Sequence, residues 1–445
     1  MTMPPDEKCP EILKKLCKIE FELEGPYACI LNKYDPTDGG NKCRIIQLLN
    51  RADQAYFIYN RSGKVDSAKK ETIDCFLNRP QAVDFFKEQF RQNTGVAWEN
   101  RLHQTEPNKY AFIIMNYNIQ EVMPEVETIL AENTESLMAR IFDMNLCKNT
   151  QIDEQKLPLG LLSLTQIKKA SAILNDTSLD PEVLTQRYYS TIPTRKENTE
   201  ELTTPEKIQN KIDFLAELEN IYYISKNHTL SLQSKYLSLQ TEVRPVSPED
   251  GKWIEQYLRT NQGHTHHIKL KYVEAFEINK PAENNSFRRW ETLHNKQLLW
   301  HGTPMPNVVG ILTNSLSLNP VSPVGITGKM FGNGLYFANV STKSAGYLRI
   351  TKGIGAMFLC EVALGNTLEL KTSQNVNLPT GRHSVRGVGR HSPGTDTYMN
   401  MGNDVVVPIG ELVESSDPGL SLIYDEFIVY DQSQVKLRYL VLVQL

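Results

Sequence analysis

At 445 residues the chain is too long for one compact core, and two to three domains are expected. With 48 basic against 52 acidic residues the formal net charge is −4, which excludes wholesale electrostatic binding to nucleic acid or membrane but leaves room for a local basic patch. The longest apolar runs, such as AMFLC and AFIIM, are far too short to cross a bilayer, and no apolar signal-peptide core opens the chain, so no membrane partner is expected.

Residues 1–24 are set apart as an N-terminal segment. From 25 to 118 the pattern is α+β. CRIIQLLN and AYFIYN are strand-like runs beside the turn signals DPTDGG and NRSGK, and RPQAVDFFKEQFRQNTG places Val83, Phe86 and Phe90 at helical spacing before Gly95. Between 124 and 236 the period becomes helical and an all-α bundle is predicted. SLTQIKKASAIL opens on Ser163 and Gln166, a capping-box pair, and continues with Ile167, Ala170 and Leu174 on one face. DPEVLTQRYY and TPEKIQNKIDFLAELENIYYI each begin with a capping residue followed by proline at the first helical position. The second carries Ile208, Ile212 and Leu215 in one stripe. From 237 to 445 short β-type runs (QLLWHG, GLYFAN, AMFLCEVALG, EFIVYD, LRYLVLVQL) alternate with Gly-, Pro- and Ser-rich loops. That pattern predicts a mostly antiparallel sheet fold, and a multidomain α+β chain as a whole.

The seven cysteines are odd in number and form no C-x-x-C pair, so reduced thiols are expected rather than a zinc site or a disulfide framework. His264, His266 and His267 read as a polar loop, because no further ligand set is spaced to complete a site; no metal is expected. In SLIYDEFIVYD (421–431), alternation puts Leu422, Tyr424, Glu426, Ile428 and Tyr430 on one face of a strand and Ile423, Phe427 and Val429 on the other. Glu426 then sits mid-strand among apolar neighbours. Burying an unpartnered carboxylate costs several kcal/mol, so Glu426 is either exposed on an edge or held there for a purpose.

Taken together, WHGT (300–303), the segment GKMFGNGLYFANVSTKSAGYL and the run YDEFIVYD, in that order, strongly resemble the catalytic domain of the poly(ADP-ribose) polymerase family. The family's fold is like that of diphtheria-toxin-type ADP-ribosyltransferases. The similarity runs back through KLPLGLLSLTQIKKA, which looks like the family's helical regulatory domain, to IIQLL…NTGVAWENR, which looks like a WGR domain. The resemblance implies that NAD+ is a substrate, its ADP-ribose passing to acceptor proteins, this chain included, with nicotinamide released. It gives the Gly302 backbone the grip on the nicotinamide carboxamide, beside Thr303 and with a further bond from Ser344. Tyr336 and Tyr347 sandwich the ring, and His301 donates to an adenosine ribose hydroxyl. Glu426, completing a triad with His301 and Tyr336, takes the nicotinamide-ribose 2'-hydroxyl and steadies the cation that develops there. Lys343 is a secondary catalytic residue. NPVSPVGITGK (319–329) aligns with the loop lining the donor site; GRHSVRGVGRH (381–391) reads either as the acceptor-side loop or as a solvated one.

Some positions depart from the family pattern. Ser317 stands where the DNA-dependent branch usually has an arginine, Lys329 replaces a tyrosine, and of an acidic pair in the helical domain Asp213 remains while Ala216 holds the second place. Ser62-Gly63-Lys64 replaces Trp-Gly-Arg. Residues 25–117 hold 13 Lys/Arg against 10 Asp/Glu, with Arg61, Lys64, Lys69, Lys70 and Arg79 clustered, which makes Lys64 and Arg61 the DNA-contact candidates unless this is only a solvated face. The expected function is a nuclear (poly)ADP-ribosyltransferase activated by DNA breaks, with residues 124–236, through Asp213, acting as a brake. The cytosol is the other possible setting, since no basic import signal is visible. Transfer of single units, a DNA-end or protein-binding scaffold with a weakly active catalytic domain, and plain NAD+ hydrolysis are the alternatives. A bulky residue at 302 is expected to block the donor site with only a modest loss of stability.

Overall fold

The computed structural model describes residues 5–22, 25–37, 40–53, 55–65, 70–103, 108–115, 129–148, 159, 162–227, 230–318, 330–350 and 352–445. Two compact units divide the chain: 1–121 with 150–222, and 122–149 with 223–445. The predicted segment 319–329, with Lys329, and also Lys69 lie outside the described residues.

The first unit is built on a six-stranded antiparallel sheet. Lys70–Phe76, Tyr56–Lys64, Gly40–Arg51, Ala28–Asp35 and Ala111–Ile113 follow one another across it, and Cys17–Ile19 also pairs with Gly40–Arg51. Ile46, Leu48 and Ile58 pack against the helix Arg79–Thr94, whose Val83, Phe86 and Phe90 are buried as their spacing predicts. Asn78 caps that helix by accepting from the Gln81 amide, and Gly95, at φ 77°, closes it in the left-handed region. The segment ahead of residue 25 is part of this structure, because Cys9, Leu13, Cys17 and Ile19 share a core with Leu49 and Tyr59.

The helices Leu164–Leu174, Pro181–Thr191 and Pro205–Lys226 form where the capping signals place them. The Ser163 hydroxyl accepts from the Gln166 amide at 3.2 Å. The Gln166 side chain does not reach back to complete a capping box: it is buried, accepts from the Ile114 amide at 3.1 Å and donates to the Thr191 carbonyl at 2.7 Å. This diversion marks how the helices are packed. Ile167, Ala170, Leu174, Tyr188 and Leu215 share their core with Tyr34 and Ile113 of the sheet and Met115 just beyond it, while buried Asn32 donates to the Tyr189 and Ser190 carbonyls. Two other helices of the predicted bundle, Glu132–Ile141 and Leu232–Ser238, fall in the second unit. The helical stretch is therefore present, its helices divided between the two units.

The second unit carries a seven-stranded sheet in the order Met399–Asn400, Val405–Val407, Lys296–Thr303, Ile354–Ala363, Val435–Gln444, Lys271–Asn279, Glu242–Pro245. Of its pairings only Lys296–Thr303 with Val405–Val407 is parallel. Leu298, Trp300, Met357, Leu359, Tyr439 and Val441 pack against the helix Pro248–Thr260. A four-stranded sheet runs Leu335–Phe337, Glu426–Val429, Ser384–Gly387, Thr367–Leu370, and a three-stranded one runs Leu412–Glu414, Gly389–Pro393, Leu422–Tyr424. Paired backbone bonds between Trp300 and Ala338, at 2.8 and 3.0 Å, fasten the two larger sheets together.

Two readings of the sequence are corrected here. SLIYDEFIVYD is not one strand: it breaks at Asp425, so that Leu422–Tyr424 and Glu426–Val429 join different sheets. Nor is GRHSVRGVGRH a loop throughout. Ser384–Gly387 and Gly389–Pro393 are strands in those same two sheets, with Ser384 and Val385 fully buried.

Candidate active site

The site forms where the two larger sheets part. Tyr336 lies opposite Ile428, so Tyr336, Ile428 and Glu426 share one face of that strand pair. The Tyr336 hydroxyl is fixed at both ends of its hydrogen-bonding capacity, donating to the Gly332 carbonyl at 2.8 Å and accepting from the Phe331 amide at 2.9 Å. Burial holds its phenol above the ordinary value. His301, on the neighbouring Lys296–Thr303 strand, places Nδ1 3.0 Å from the Tyr336 carbonyl. A carbonyl only accepts, so Nδ1 carries the proton. Burial pulls the His301 pKa down against that bond, which favours the neutral ring with Nε2 as an acceptor. With Nδ1 occupied by the Tyr336 carbonyl, any contact of His301 with a ligand falls to Nε2.

The short helix Ser341–Ala345 supplies two further groups. It is held by Ser341, which donates to the Leu258 and Asn261 carbonyls, and by Thr342, which accepts from the Gly263 amide at 2.7 Å. The Ser344 hydroxyl donates to the Trp300 carbonyl at 2.9 Å, drawing the helix onto the strand. The approach is so close that a Cβ added at Gly302 would lie 1.8 Å from the Ser344 carbonyl oxygen. Thr303 is buried, its hydroxyl accepting from the Asn307 side chain. Tyr347, just beyond the helix, is 54% exposed.

Lys343 reads by residue type as a solvated surface lysine, yet its ammonium lies 2.9 Å from Glu426 Oε1, 2.9 Å from the Tyr424 carbonyl and 3.2 Å from the Asp425 carbonyl. Three donors meet three acceptors. Burial lowers the Lys343 pKa from the ordinary lysine value, while Glu426 and Asp425 pull it back up. Glu426 is only 7% exposed, and its second oxygen, Oε2, is buried with no hydrogen-bond partner among the described residues. Leaving such an acceptor unmet costs about 1–3 kcal/mol. One oxygen is tethered to a cation, and the other is open to a donor. A hydroxyl of a bound ligand is the natural occupant.

The regulatory and DNA-contact candidates fare differently. Arg61 is not a surface cation, since its guanidinium donates to the Asp6 carboxylate at 2.7 Å and the two side chains are 11% and 8% exposed. Lys64 is exposed at the end of its strand. Asp213 is exposed in the first unit, accepting from Gln209 at 2.9 Å, whereas the site belongs to the second. Sequence reading missed Asp425, which is fully buried beside Glu426, together with its partners Asn339 and Arg386.

Residues 249–445 match the poly(ADP-ribose) polymerase catalytic domain and residues 128–236 the regulatory domain of the same family. The chain is 30% identical to poly(ADP-ribose) polymerase 2-A of Oryza sativa subsp. japonica over 98% of this chain and 73% of that protein. It is 31% identical to poly(ADP-ribose) polymerase 1 of Gallus gallus over 94% of this chain, but spans only 45% of that relative's length. To poly(ADP-ribose) polymerase 2 of Arabidopsis thaliana the identity is 28%, over 99% of this chain and 76% of the relative. The chain belongs to the poly(ADP-ribose) polymerase family.

Proposed function

We propose that the chain transfers ADP-ribose from NAD+ to acceptor proteins, itself among them. The observation that carries this reading is the Glu426 carboxylate, with Oε1 held by Lys343 and Oε2 buried without a partner among the described residues. With NAD+ bound, Oε2 accepts from the 2'-hydroxyl of the nicotinamide ribose. The bond between C1' and the pyridinium nitrogen breaks, its electron pair leaves with nicotinamide, and the carboxylate steadies the cation left on the ribose. An acceptor nucleophile then adds to C1' and gives up its proton. Gly302 and Ser344 hold the carboxamide, Tyr336 and Tyr347 cover the ring, and neutral His301 receives a hydroxyl of the adenosine ribose. Incubating the purified chain with labelled NAD+ tests the proposal. Free nicotinamide with label on protein is expected, in ladders if polymer forms and as one band if single units are added. Nicotinamide without labelled protein would mean hydrolysis, and no turnover a scaffold.

The Lys343 pKa gives the reading a pH signature. As pH rises through the lowered value the ammonium becomes neutral, Glu426 loses its counter-charge, and turnover falls. The alkaline limb of kcat is expected below the ordinary lysine value of about 10.4. Tyr336, held above the ordinary phenol value, does not titrate in that window. Lys343→Arg is expected to move the limb beyond about pH 11 at reduced turnover, since an arginine stays charged. A limb unchanged in that variant would remove Lys343 from the chemistry.

A nuclear setting, a WGR-like N-terminal part and activation by DNA breaks belong to the same proposal. Arg61 pairs with Asp6, and Lys64, exposed at the end of its strand, is the phosphate contact of this proposal as a point charge. Broken DNA is expected to activate weakly, with a shallow salt dependence. Lys64→Ala should reduce that response without changing turnover in the absence of DNA, and Asp213→Ala should raise turnover without DNA if the helical segment is a brake. Activity indifferent to duplex ends and nicks at low salt would make the first unit a protein-interaction module.

A further inference from the structure

We propose that Asp425 is a positioning residue for this site: its buried carboxylate fixes the chain on which Glu426 and Lys343 both depend. The inference rests on the transfer reading for its consequence, but its geometry is independent of it.

Asp425 has no exposed surface and stands at the break between Leu422–Tyr424 and Glu426–Val429. Its carboxylate collects four donors from three segments. Oδ1 accepts from the Gly389 amide at 2.8 Å; Oδ2 accepts from Asn339 Nδ2 at 3.0 Å and from Arg386 Nε and Nη2 at 3.2 and 2.9 Å. Each donor lies where it bears on the site. Asn339 is buried two residues ahead of the helix that carries Lys343. Arg386 belongs to the strand paired with Glu426–Val429, and its neighbour Gly387 lies opposite Glu426 itself. Gly389 comes so close that an added Cβ would be 2.2 Å from the Tyr424 carbonyl carbon.

The same residues meet Lys343 from their other side, because the Tyr424 and Asp425 carbonyls are two of its three acceptors. Fixing this backbone therefore aims Lys343, and Lys343 in turn tethers Glu426 Oε1. The charges also sort into pairs, Arg386 with Asp425 and Lys343 with Glu426. An amide in place of the Asp425 carboxylate would bring two N–H donors of its own, so at least one of the four present donors would face another donor. The backbone must then shift.

The test uses the purified full chain with NAD+. Asp425→Asn is expected to lower kcat by about 10–10²-fold with little change in KM, the scale on which sub-ångström misplacement acts. In a Glu426→Gln background the same substitution should add less than about twofold, because residues that act through one another are non-additive. Arg386→Gln, which leaves the carboxylate in place, should show the same pattern at roughly 3–10-fold and decides the matter if Asp425→Asn does not fold. Amide hydrogen exchange supplies a readout apart from activity: peptides covering 422–430 should exchange faster in the variants, and those from Val435–Gln444 should not. An equal loss in both backgrounds, or unchanged exchange over 422–430, overturns the proposal. A parent that consumes no NAD+ would defeat the transfer reading instead, while the exchange comparison would still decide whether Asp425 holds this segment.

Discussion

Glu426→Gln is expected to lower turnover of NAD+ by about 10²–10³-fold, the usual scale for removing one transition-state electrostatic partner. Polymer synthesis should disappear first, leaving at most slow single transfer or hydrolysis. The substitution is close to isosteric and the fold should survive it. The glutamine carbonyl still accepts from Lys343, which also keeps the Tyr424 and Asp425 carbonyls. What changes is Oε2, unpartnered among the described residues: it becomes a donor facing the ribose hydroxyl that the proposed transfer brings to it. The full negative charge opposite the developing cation also goes. Binding should be spared, so the rise in melting temperature on adding nicotinamide should match that of the parent. Turnover within tenfold of the parent would remove Glu426 from the role assigned to it. A lost nicotinamide response would show that the residue shapes the pocket rather than the transition state.

Much of this site is legible in the residues, and what is not has a common cause. His301, Tyr336 and Glu426 stand in short motifs whose local pattern marks them as β, although the strand read through Glu426 in fact begins at it, and the structure brings them together across the split between two sheets. Lys343 reads as solvent-facing because nothing near it in sequence shows that the helix Ser341–Ala345 is drawn under the Leu422–Val429 stretch, 81 residues on. Asp425 looks like one more polar residue in a strand. Its meaning depends on Arg386, 39 residues earlier, and Asn339, 86 residues earlier. Arg61 errs the other way: it sits in a basic run, but Asp6, 55 residues away, takes its charge. The helices show the same limit at the level of the fold. A 3.6-residue stripe says which face of Leu164–Leu174 is buried, but not that Tyr34 and Ile113 of a sheet help to cover it. Period and capping are local properties; the choice of partner is not.

Gly302→Ala is expected to disable the site and to destabilise the second unit as well, which revises the modest loss of stability anticipated from sequence. An alanine Cβ would lie 1.8 Å from the Ser344 carbonyl oxygen, and the obstacle is backbone rather than the end of a flexible side chain. Strand and helix must move apart by more than an ångström. The bond from Ser344 Oγ to the Trp300 carbonyl would stretch, and Lys343, one residue earlier on the same helix, would be carried away from Glu426. Overpacking of this kind costs about 3 kcal/mol, or roughly 6–12 °C in melting temperature for a unit of this size. A displacement on the ångström scale at a reacting centre costs about 10²-fold in turnover, and a larger residue such as tryptophan only adds to it. Gly346→Ala is the matched control. Gly346 also lies at the end of this helix, with φ −57° and ψ −22°, and a Cβ there meets no atom within 4 Å. That variant should be neutral or slightly stabilised, since alanine narrows the unfolded ensemble without strain. Melting curves and NAD+ turnover measured side by side separate the two glycines. If Gly302→Ala melts with the parent and turns over at a similar rate, the contact between the Lys296–Thr303 strand and the Ser341–Ala345 helix yields without consequence. The nicotinamide grip would then have to be sought elsewhere than in the narrow gap that only a glycine now fits.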